Sequence, residues 1–467
     1  MSRGGVPFVA SVEQATQSLF GAPQSSSSRG VSFPRGARLG AAFWRLWCAH
    51  AISSSGDGLV NVASPLLAVT LTRSPLAIAG VMATNRASAA LSTFPAGALA
   101  DRLNRRRLMI GCDLVAGVAL AGLVAAMSAG VIDLAMVYLA TAVLAACNVA
   151  YVLAAQASVP VIVADQDLAK ANGRLQAVEG VGEQFLGPGS GGFLFSVARR
   201  LPFGADAVSF FVAALLVRRS LPKSPGYARS RTTEADARPS ARAYRGRHWA
   251  ADFQEGFRWL RGERRVQLLA AMTSALVIGQ NMVFAILVVY GTGILHLSSA
   301  GYGFFFASAS ALGIVASFFG GVVVRRMGAG RAIVAGTALA MVSYLGLGFT
   351  RNAVLAVFVL GLQEIGTVVT NVGSITTRQR LIPSGLYGRV GGLYRLSFLL
   401  TGLMGAVLGG VVADAVSVRA TMVMAGGITL VLLALFSPPL LRGLAQPVDA
   451  AATTAAPIAP TSSSGVT

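Results

Sequence analysis

Two groups of polar side chains recur at helical spacing within long apolar runs. The first comprises five residues separated by steps of 4, 3, 4 and 3, namely His50, Ser54, Asp57, Asn61 and Ser64. This spacing places all five on one helix face. A polar face inside a membrane helix has to look into the protein or a water-filled cavity. Asp57 and Asn61 are therefore candidates for proton coupling or substrate binding.

The second group has steps of 3, 4, 3 and 4 and consists of Glu364, Thr367, Asn371, Ser374 and Arg378. At a rise of about 1.5 Å per residue, Asp57 and Glu364 both come near the middle of their helices. Intramembrane carboxylates are functional candidates by default, because burying them unpaired is costly. Glu364, Thr367 and Asn371 therefore join the predicted proton-coupling or substrate cavity.

Arg86 also falls near the middle of its apolar run, so it belongs to the same candidate site. Two interpretations of Asp57 stay open. A standing Arg86–Asp57 ion pair would make Asp57 structural, whereas an unpaired Asp57 could carry protons. Glu179 and Glu183 lie one turn apart in a later apolar run, and we expect them to pair with arginines such as Arg395 near the inner helix ends.

The remaining reactive residues exclude most enzymes. Cys48, Cys112 and Cys147 form no CxxC pair, and the three histidines show no zinc-site spacing. The only lysines, Lys170 and Lys223, complete no GxxxxGK[ST] loop, which excludes ATP-driven pumping by this chain. No GxSxG motif is present. We expect neither a metal, nor a cofactor, nor an enzymatic activity.

Composition indicates an integral membrane protein. Of 467 residues, 54% are apolar and 12% are charged, and the mean hydropathy is +0.66. These values exclude an ordinary soluble domain and whole-chain disorder. The net charge of +20 lies between apolar segments, which favours an anionic membrane surface over nucleic acid as the partner.

Twelve stretches are long enough to cross a bilayer as helices. They are 44–70, 76–99, 108–129, 132–156, 174–197, 201–218, 267–291, 300–324, 331–350, 353–377, 388–413 and 419–441. With the N-terminus inside, the outer loops contain only five of the 38 basic residues: Arg73, Arg199, Arg200, Arg351 and Arg419. The positive-inside rule therefore places both termini in the cytoplasm.

The predicted organisation has five parts. A disordered tail (1–40) precedes an N-terminal six-helix bundle (41–218), a basic cytoplasmic linker (219–265), a C-terminal six-helix bundle (266–442) and a second disordered tail (443–467). The halves also repeat a pattern. Gln156 to Pro160 and Gln379 to Pro383 share QxxxP spacing, and each is followed by Gly-Arg and then Gly-Gly. Such a parallel repeat predicts a substrate site between the halves.

The segment GALADRLNRRR, from Gly97 to Arg107, resembles the signature loop of the major facilitator superfamily, with Asn104 at the place of the usual second glycine. The resemblance implies an all-α membrane fold of two pseudo-symmetric six-helix bundles. It also implies a monomer and a gating role for Gly97, Asp101, Arg102 and Arg105. A carboxylate facing a helix N-terminus is stabilised by the helix dipole, which gives Asp101 a physical means of locking the halves.

Further motifs resemble the exporter branch that includes enterobactin and macrolide efflux proteins. They are GALADRLNRRRLMIGCDL, TTRQRLIPSGLYGRVGGLYRL and the GPxxGG element beginning with Gly187 and Pro188. The resemblance implies gating roles for Gly187, Pro188, Arg389 and Arg395, and it implies that Asp113 contacts the loop arginines. The span-4 arginine of proton-coupled drug antiporters is missing.

These observations predict a plasma-membrane exporter of a small amphipathic compound, working by alternating access and coupled to protons. A proton-coupled importer is the first alternative. The second is a membrane sensor or scaffold that transports nothing; it would not need midplane carboxylates.

Overall fold

The computed structural model describes residues 39–220, 249–383 and 385–445. Within these ranges it describes no side chain for Ala98, Asp101, Arg102, Asp165, Ala169, 249–253 and Ala445. Most of the predicted tails and most of the predicted linker lie outside the described residues, and residues 443–445 of the predicted second tail belong to the last helix. All regular elements of the described part are helices.

The first half contains seven helices. They are α1 (Ala41–Leu71), α2 (Pro75–Arg102), α3 (Arg105–Ala129), α4 (Leu134–Ile162), α5 (Leu168–Val181), α6 (Gly187–Val197) and α7 (Leu201–Ser220). A short 3₁₀ turn, Asp165–Asp167, precedes α5. A π turn, Gly182–Leu186, joins α5 to α6, so the three form one membrane-length segment.

The second half follows an additional helix from the central polar segment, α8 (Trp249–Gly262). Its helices are α9 (Arg264–Val289), α10 (Ser299–Met327), α11 (Ala329–Phe349), α12 (Ala353–Leu381), α13 (Tyr387–Ala415) and α14 (Val418–Ala445). A π turn, Tyr290–Ile294, extends α9. The twelve predicted spans therefore correspond to twelve helical segments.

Nine of the described helical segments are long and apolar enough to cross a membrane. The other three are α1, α2 and the α5–α6 segment. These contain the interior polar residues His50, Asp57, Arg86, Glu179 and Glu183, which lower their hydropathy. Polar residues are tolerated in a membrane helix that turns them towards protein or water. The same residues that make these helices less apolar thus mark them as site-bearing.

Local sequence explains where several helices begin and end. Ser74 caps α2 through its side-chain oxygen, and Pro75 follows at the first helical position. Asp133 caps α4 in the same way. Gly130 ends α3 with a φ of 71°, a left-handed conformation that glycine adopts without steric cost.

The halves repeat the same internal packing. In the first half, α1 packs on α7, α2 packs on α4, and α3 packs on α4 and α7. In the second half, α9 packs on α14, α10 packs on α12, and α11 packs on α12 and α14. Each of these four contacts in one half has its counterpart in the other. The predicted fold class, two pseudo-symmetric six-helix bundles, is confirmed.

The two Gly-Gly elements make equivalent contacts. A Cβ on Gly191 would lie 2.7 Å from the Leu59 carbonyl oxygen in α1, and a Cβ on Gly409 would meet the Met282 carbonyl oxygen in α9. The next glycine in each pair reaches across to the other half. Gly192 approaches Gly303 of α10, and Gly410 approaches Ala79 of α2. Only small residues permit such close backbone approach.

The halves therefore meet mainly through two helix pairs, α2 with α13 and the α5–α6 segment with α10, and α2 also contacts α9. The closest approaches lie towards the predicted outer end. There the Ser74 hydroxyl at the start of α2 donates a hydrogen bond to Asp414 Oδ1 near the end of α13, at 2.8 Å.

Candidate functional site

Asp57 faces the interior of the first half. The Asn148 amide lies within hydrogen-bonding range of its carboxylate, and Asp206 and Glu179 lie close enough to interact with it electrostatically. Asp206 is fully buried on α7 and accepts a hydrogen bond from Ser209 at 2.8 Å. Gly56 packs directly against Asp206. Several acidic groups from different helices thus surround one position of α1.

Four carboxylates line one small cavity of about 20 Å³. Its walls come from α1, α3, α4, α5, α7 and the π turn, and consist of His50, Ser53, Ser54, Asp57, Cys112, Asp113, Leu144, Cys147, Asn148, Tyr151, Val152, Glu179, Glu183 and Phe210. We call this cavity the acidic chamber. About 10–15 Å³ suffices for one water molecule, so the chamber has room for water but not for an organic solute.

The sequence had led us to expect Asp113 beside the loop arginines. Asp113 instead lies in this chamber. Its side chain is 2% exposed, and Asp57 lies within electrostatic range. Packing of α3 on α4 and α7 turns this face of α3 into the bundle. The loop arginines bind helix ends instead: Arg105 donates to the Ala157 carbonyl at 2.7 Å and Arg106 to the Arg218 carbonyl at 2.7 Å.

A second, larger cavity of about 360 Å³ adjoins the chamber on the side of the predicted inner end. Its lining is Leu46, His50, Val152, Ala155, Gln156, Val159, Asn172, Leu175, Gln176 and Glu179. We call it the inner cavity. Its volume falls in the range of small-molecule sites, and its walls combine apolar side chains with three amides.

His50 and Glu179 belong to both cavities. The His50 Nε2 atom lies 3.4 Å from Glu179 Oε2, and the imidazole ring stacks on Tyr151 with 6.3 Å between ring centroids. Glu179 therefore pairs with a histidine, and not with an arginine as the sequence predicted.

Arg86 bridges the halves. Its Nε atom donates to Asn281 Oδ1 on α9 at 3.0 Å, and Glu183 is its electrostatic partner in the first half. Gly402 of α13 leaves room for the arginine side chain. Among the described residues Arg86 forms no salt bridge with Asp57, so the standing Arg86–Asp57 pair that would make Asp57 structural is not observed.

Glu364 lies on α12 of the second half. It packs against Gly313 of α10, and Tyr344 of α11 lies within electrostatic range. Among the described residues it forms no salt bridge. On the same helix, Thr367 is buried and accepts a hydrogen bond from the Gln363 amide at 2.8 Å, whereas Asn371 is exposed. Asn61 of α1 is exposed as well.

The GPxxGG element directly follows a helix irregularity and is tightly packed. Proline lacks a backbone N–H and disrupts the helical hydrogen-bond ladder, and here the π turn comes immediately before Gly187 and Pro188. Gly187 contacts Gly58 of α1, and the Pro188 carbonyl faces Gly303 of α10. The element thus joins a helix irregularity to the contact between the halves.

The predicted gating loop is described in part. The side chains of Asp101 and Arg102 lie outside the described residues. Gly97 has open space where a Cβ would stand. Asn104 caps α3, its Oδ1 accepting from Arg106 N at 3.0 Å and Arg107 N at 3.4 Å. The residue that replaces the usual glycine therefore has a structural task of its own.

The two predicted gating arginines of α13 differ. Arg389 Nη1 donates to Glu255 Oε2 of α8 at 2.6 Å, which attaches the central polar segment to the second half. Arg395 is exposed and forms no ion pair within the described part of the chain. The expected pairing of Glu179 or Glu183 with Arg395 is therefore not observed.

Several site residues escaped sequence analysis. Asp206 offered a signal, because it is a lone carboxylate inside an apolar span, but it shares no polar stripe. Asn148, Tyr151 and Asn281 offered none. They are ordinary residues of apolar helices until packing places them beside Asp57, His50 and Arg86.

The sequence profile of the Major Facilitator Superfamily matches residues 46–406. The chain belongs to the Major Facilitator Superfamily. It is a multi-pass membrane transporter of a small-molecule substrate. No curated protein sequence matches it significantly.

Solved structures of the superfamily share the fold. A bacterial homologue of the human lysosomal transporter Spinster, inward-facing and unoccupied, aligns with a TM-score of 0.68 at 14% identity, covering 86% of this chain and 97% of that one. The nucleoside transporter NupG aligns at 0.65 and 13%, covering 85% and 98%. An inward-facing bacterial homologue of the iron transporter ferroportin aligns at 0.64 and 16%, covering 85% and 98%. Their different substrates leave the substrate of this superfamily member open.

Proposed function

We propose that this transporter exports a small amphipathic organic compound from the cytoplasm across the plasma membrane, by alternating access and in exchange for protons. The observation that carries the proposal is the cluster of interior carboxylates beside the contact between the halves. Burying several acids together is costly unless they bind protons or cations. A secondary transporter can use such groups to draw on an ion gradient.

Asp57 is the first candidate proton carrier and Glu364 the second. Asp57 has no arginine partner among the described residues and lines the acidic chamber. Glu364 is the equally deep carboxylate of the second half. The Arg86–Asn281 hydrogen bond offers a means of coupling, because it joins the half that contains the acids to the half that must move.

The inner cavity supports an amphipathic substrate. Apolar walls and three amides suit a compound with one oily and one polar face. Export rather than import rests on the exporter-branch motifs. Cytoplasmic termini rest on the distribution of basic residues. We propose a monomer by resemblance.

The register of α2 against α13 supports the gating role of Asp101. The helices run antiparallel, with Ala79 beside Gly410 and Arg86 beside Gly402. Continuing this register places residue 101 opposite residue 387, at the N-terminus of α13. A carboxylate at that position would be stabilised by the helix dipole when the inner ends close.

Accumulation assays in an efflux-deficient bacterial host test the proposal. Macrolides, dyes, phenicols and siderophores would be compared for wild type and Asp101→Asn, with and without a protonophore. We expect lower accumulation of at least one compound in wild type, and loss of the effect with the protonophore. Asp101→Asn should slow export while substrate binding to the purified protein persists.

Three outcomes would contradict parts of the proposal. Raised accumulation would indicate an importer. Export that persists with the protonophore would exclude proton coupling. No transport of any compound by reconstituted protein, with or without a proton gradient, would favour a sensor or scaffold.

A further inference from the structure

The acidic chamber and the inner cavity are separate spaces that share one boundary. The chamber holds a water-sized volume of about 20 Å³, and the inner cavity has about 360 Å³. Three residues line both: His50, Val152 and Glu179. Val152 has no proton to exchange. Any proton that passes between the two spaces by way of side chains therefore passes through the His50–Glu179 pair.

Two buried polar atoms without a hydrogen-bond partner lie on the chamber side of this boundary. Asp113 Oδ2 and the Tyr151 hydroxyl are buried and have no protein hydrogen-bond partner among the described residues. Both side chains are more than nine-tenths buried and line the chamber. Buried polar groups of this kind ordinarily hold a proton or a water molecule. The Tyr151 ring also stacks on His50, which sets the orientation of the imidazole.

Histidine suits a boundary of this kind because its two ring nitrogens can each hold a proton. The imidazole accepts a proton on one nitrogen and releases one from the other, so a proton advances while the ring returns to neutrality. Nε2 lies 3.4 Å from Glu179 Oε2. Glu179 has a side chain 37% exposed against 13% for His50, so the glutamate is the more accessible partner.

We propose that His50 and Glu179 form the proton entrance of the acidic chamber, conducting protons between the inner cavity and the carboxylates Asp57 and Asp113. The proposal rests on the proton coupling proposed above and adds a route within the first half. Protons and substrate then both enter the inner cavity, where Glu179 lies. The carboxylates that hold the protons, Asp57 and Asp113, lie in the separate acidic chamber.

Other ionisable groups face this pair from every neighbouring element. They are Tyr151 and Cys147 of α4, Cys112 and Asp113 of α3, Asp206 of α7, Glu183 of the π turn and Arg86 of α2. All except Arg86 are neutral when protonated and negative when deprotonated. The surroundings therefore favour a proton that enters the chamber.

A pH jump on the purified full chain in lipid nanodiscs tests the route. Infrared absorption of protonated carboxyl groups would follow proton uptake, and Asp57→Asn and Asp113→Asn would identify the chamber signal. We expect His50→Gln to slow uptake at least tenfold while the final amplitude stays unchanged. Glu179→Gln should slow it about threefold, and it provides a second test if His50→Gln does not fold.

His296→Asn is the matched control. It removes another imidazole, at an exposed position of the second half whose positive φ of 51° suits asparagine. It should leave uptake at the wild-type rate. Wild-type rates in both His50→Gln and Glu179→Gln would overturn the proposal, as would a wild-type signal that neither Asp57→Asn nor Asp113→Asn reduces. Export that persists in the presence of a protonophore would instead contradict the proposed function. The two failures are therefore distinguishable.

Discussion

The two halves share their packing but differ in their interior chemistry. Helix α1 and the segment Arg264–Ile294 both have 31 residues, and aligning their ends places Gln280 at the position of Asp57. The same alignment pairs Leu59 with Met282, which receive the equivalent glycines Gly191 and Gly409. The two halves thus repeat the same backbone packing, but the carboxylate of Asp57 has no counterpart at the equivalent position of the second half.

This contrast indicates which features serve the fold and which serve transport. The first half gathers five acids, while the second has a single deep carboxylate, Glu364, with no ion pair among the described residues. An interior acid costs stability in either half. The concentration of interior acids in the first half therefore suggests a task that the fold does not require.

The strongest test of this asymmetry substitutes two equivalent positions, one in each half. Asp57→Asn should abolish proton-coupled transport, with a loss of at least 100-fold, because an amide cannot bind and release the proton. Gln280→Asn, which places the same residue at the equivalent position of the second half, should stay within about twofold of wild type. Substrate flux driven by a pH gradient in proteoliposomes measures both. Similar losses in the two variants would show that position matters and charge does not.

Glu364→Gln should have the next largest effect. If the second half contributes its own carboxylate to coupling, gradient-driven flux falls about tenfold, and substrate exchange without a gradient persists. Normal gradient-driven flux in both Asp57→Asn and Glu364→Gln would show that neither carboxylate carries the coupled proton.

Sequence predicted the repeat and the polar stripes because both follow from helical periodicity. It did not predict the partners, because those depend on which helices become neighbours. The sequence left open a pairing of Arg86 with Asp57 of the adjacent helix, but α2 packs on α13 and touches α9, so the partner of Arg86 is Asn281. Asp113 was expected among the loop arginines from the resemblance to the exporter branch, but it lines the acidic chamber. Asp206 was missed because one residue makes no pattern.

The shared packing predicts equal effects in the two halves. Gly191→Ala and Gly409→Ala should each destabilise the protein by about 1–3 kcal/mol, since the new methyl group meets a backbone carbonyl that cannot move aside. Gly122→Ala is the control, because its Cβ would enter open space and alanine favours the helix by up to about 1 kcal/mol. Unfolding in mixed micelles, followed by tryptophan fluorescence, gives the values. A large effect in one half only would contradict the packing symmetry.

The loops at the predicted inner end are expected to give the smallest difference in stability between the two halves. Between α2 and α3 a side chain, that of Asn104, caps the following helix, whereas between α10 and α11 Gly328 turns the chain with a φ of 80°. Asn104→Ala should cost about 1 kcal/mol and Asn104→Gly only a few tenths, because glycine is tolerated at a helix cap. The same unfolding assay measures both. Equal costs for the two variants would mean that the Asn104 side chain stabilises the loop through contacts other than the cap.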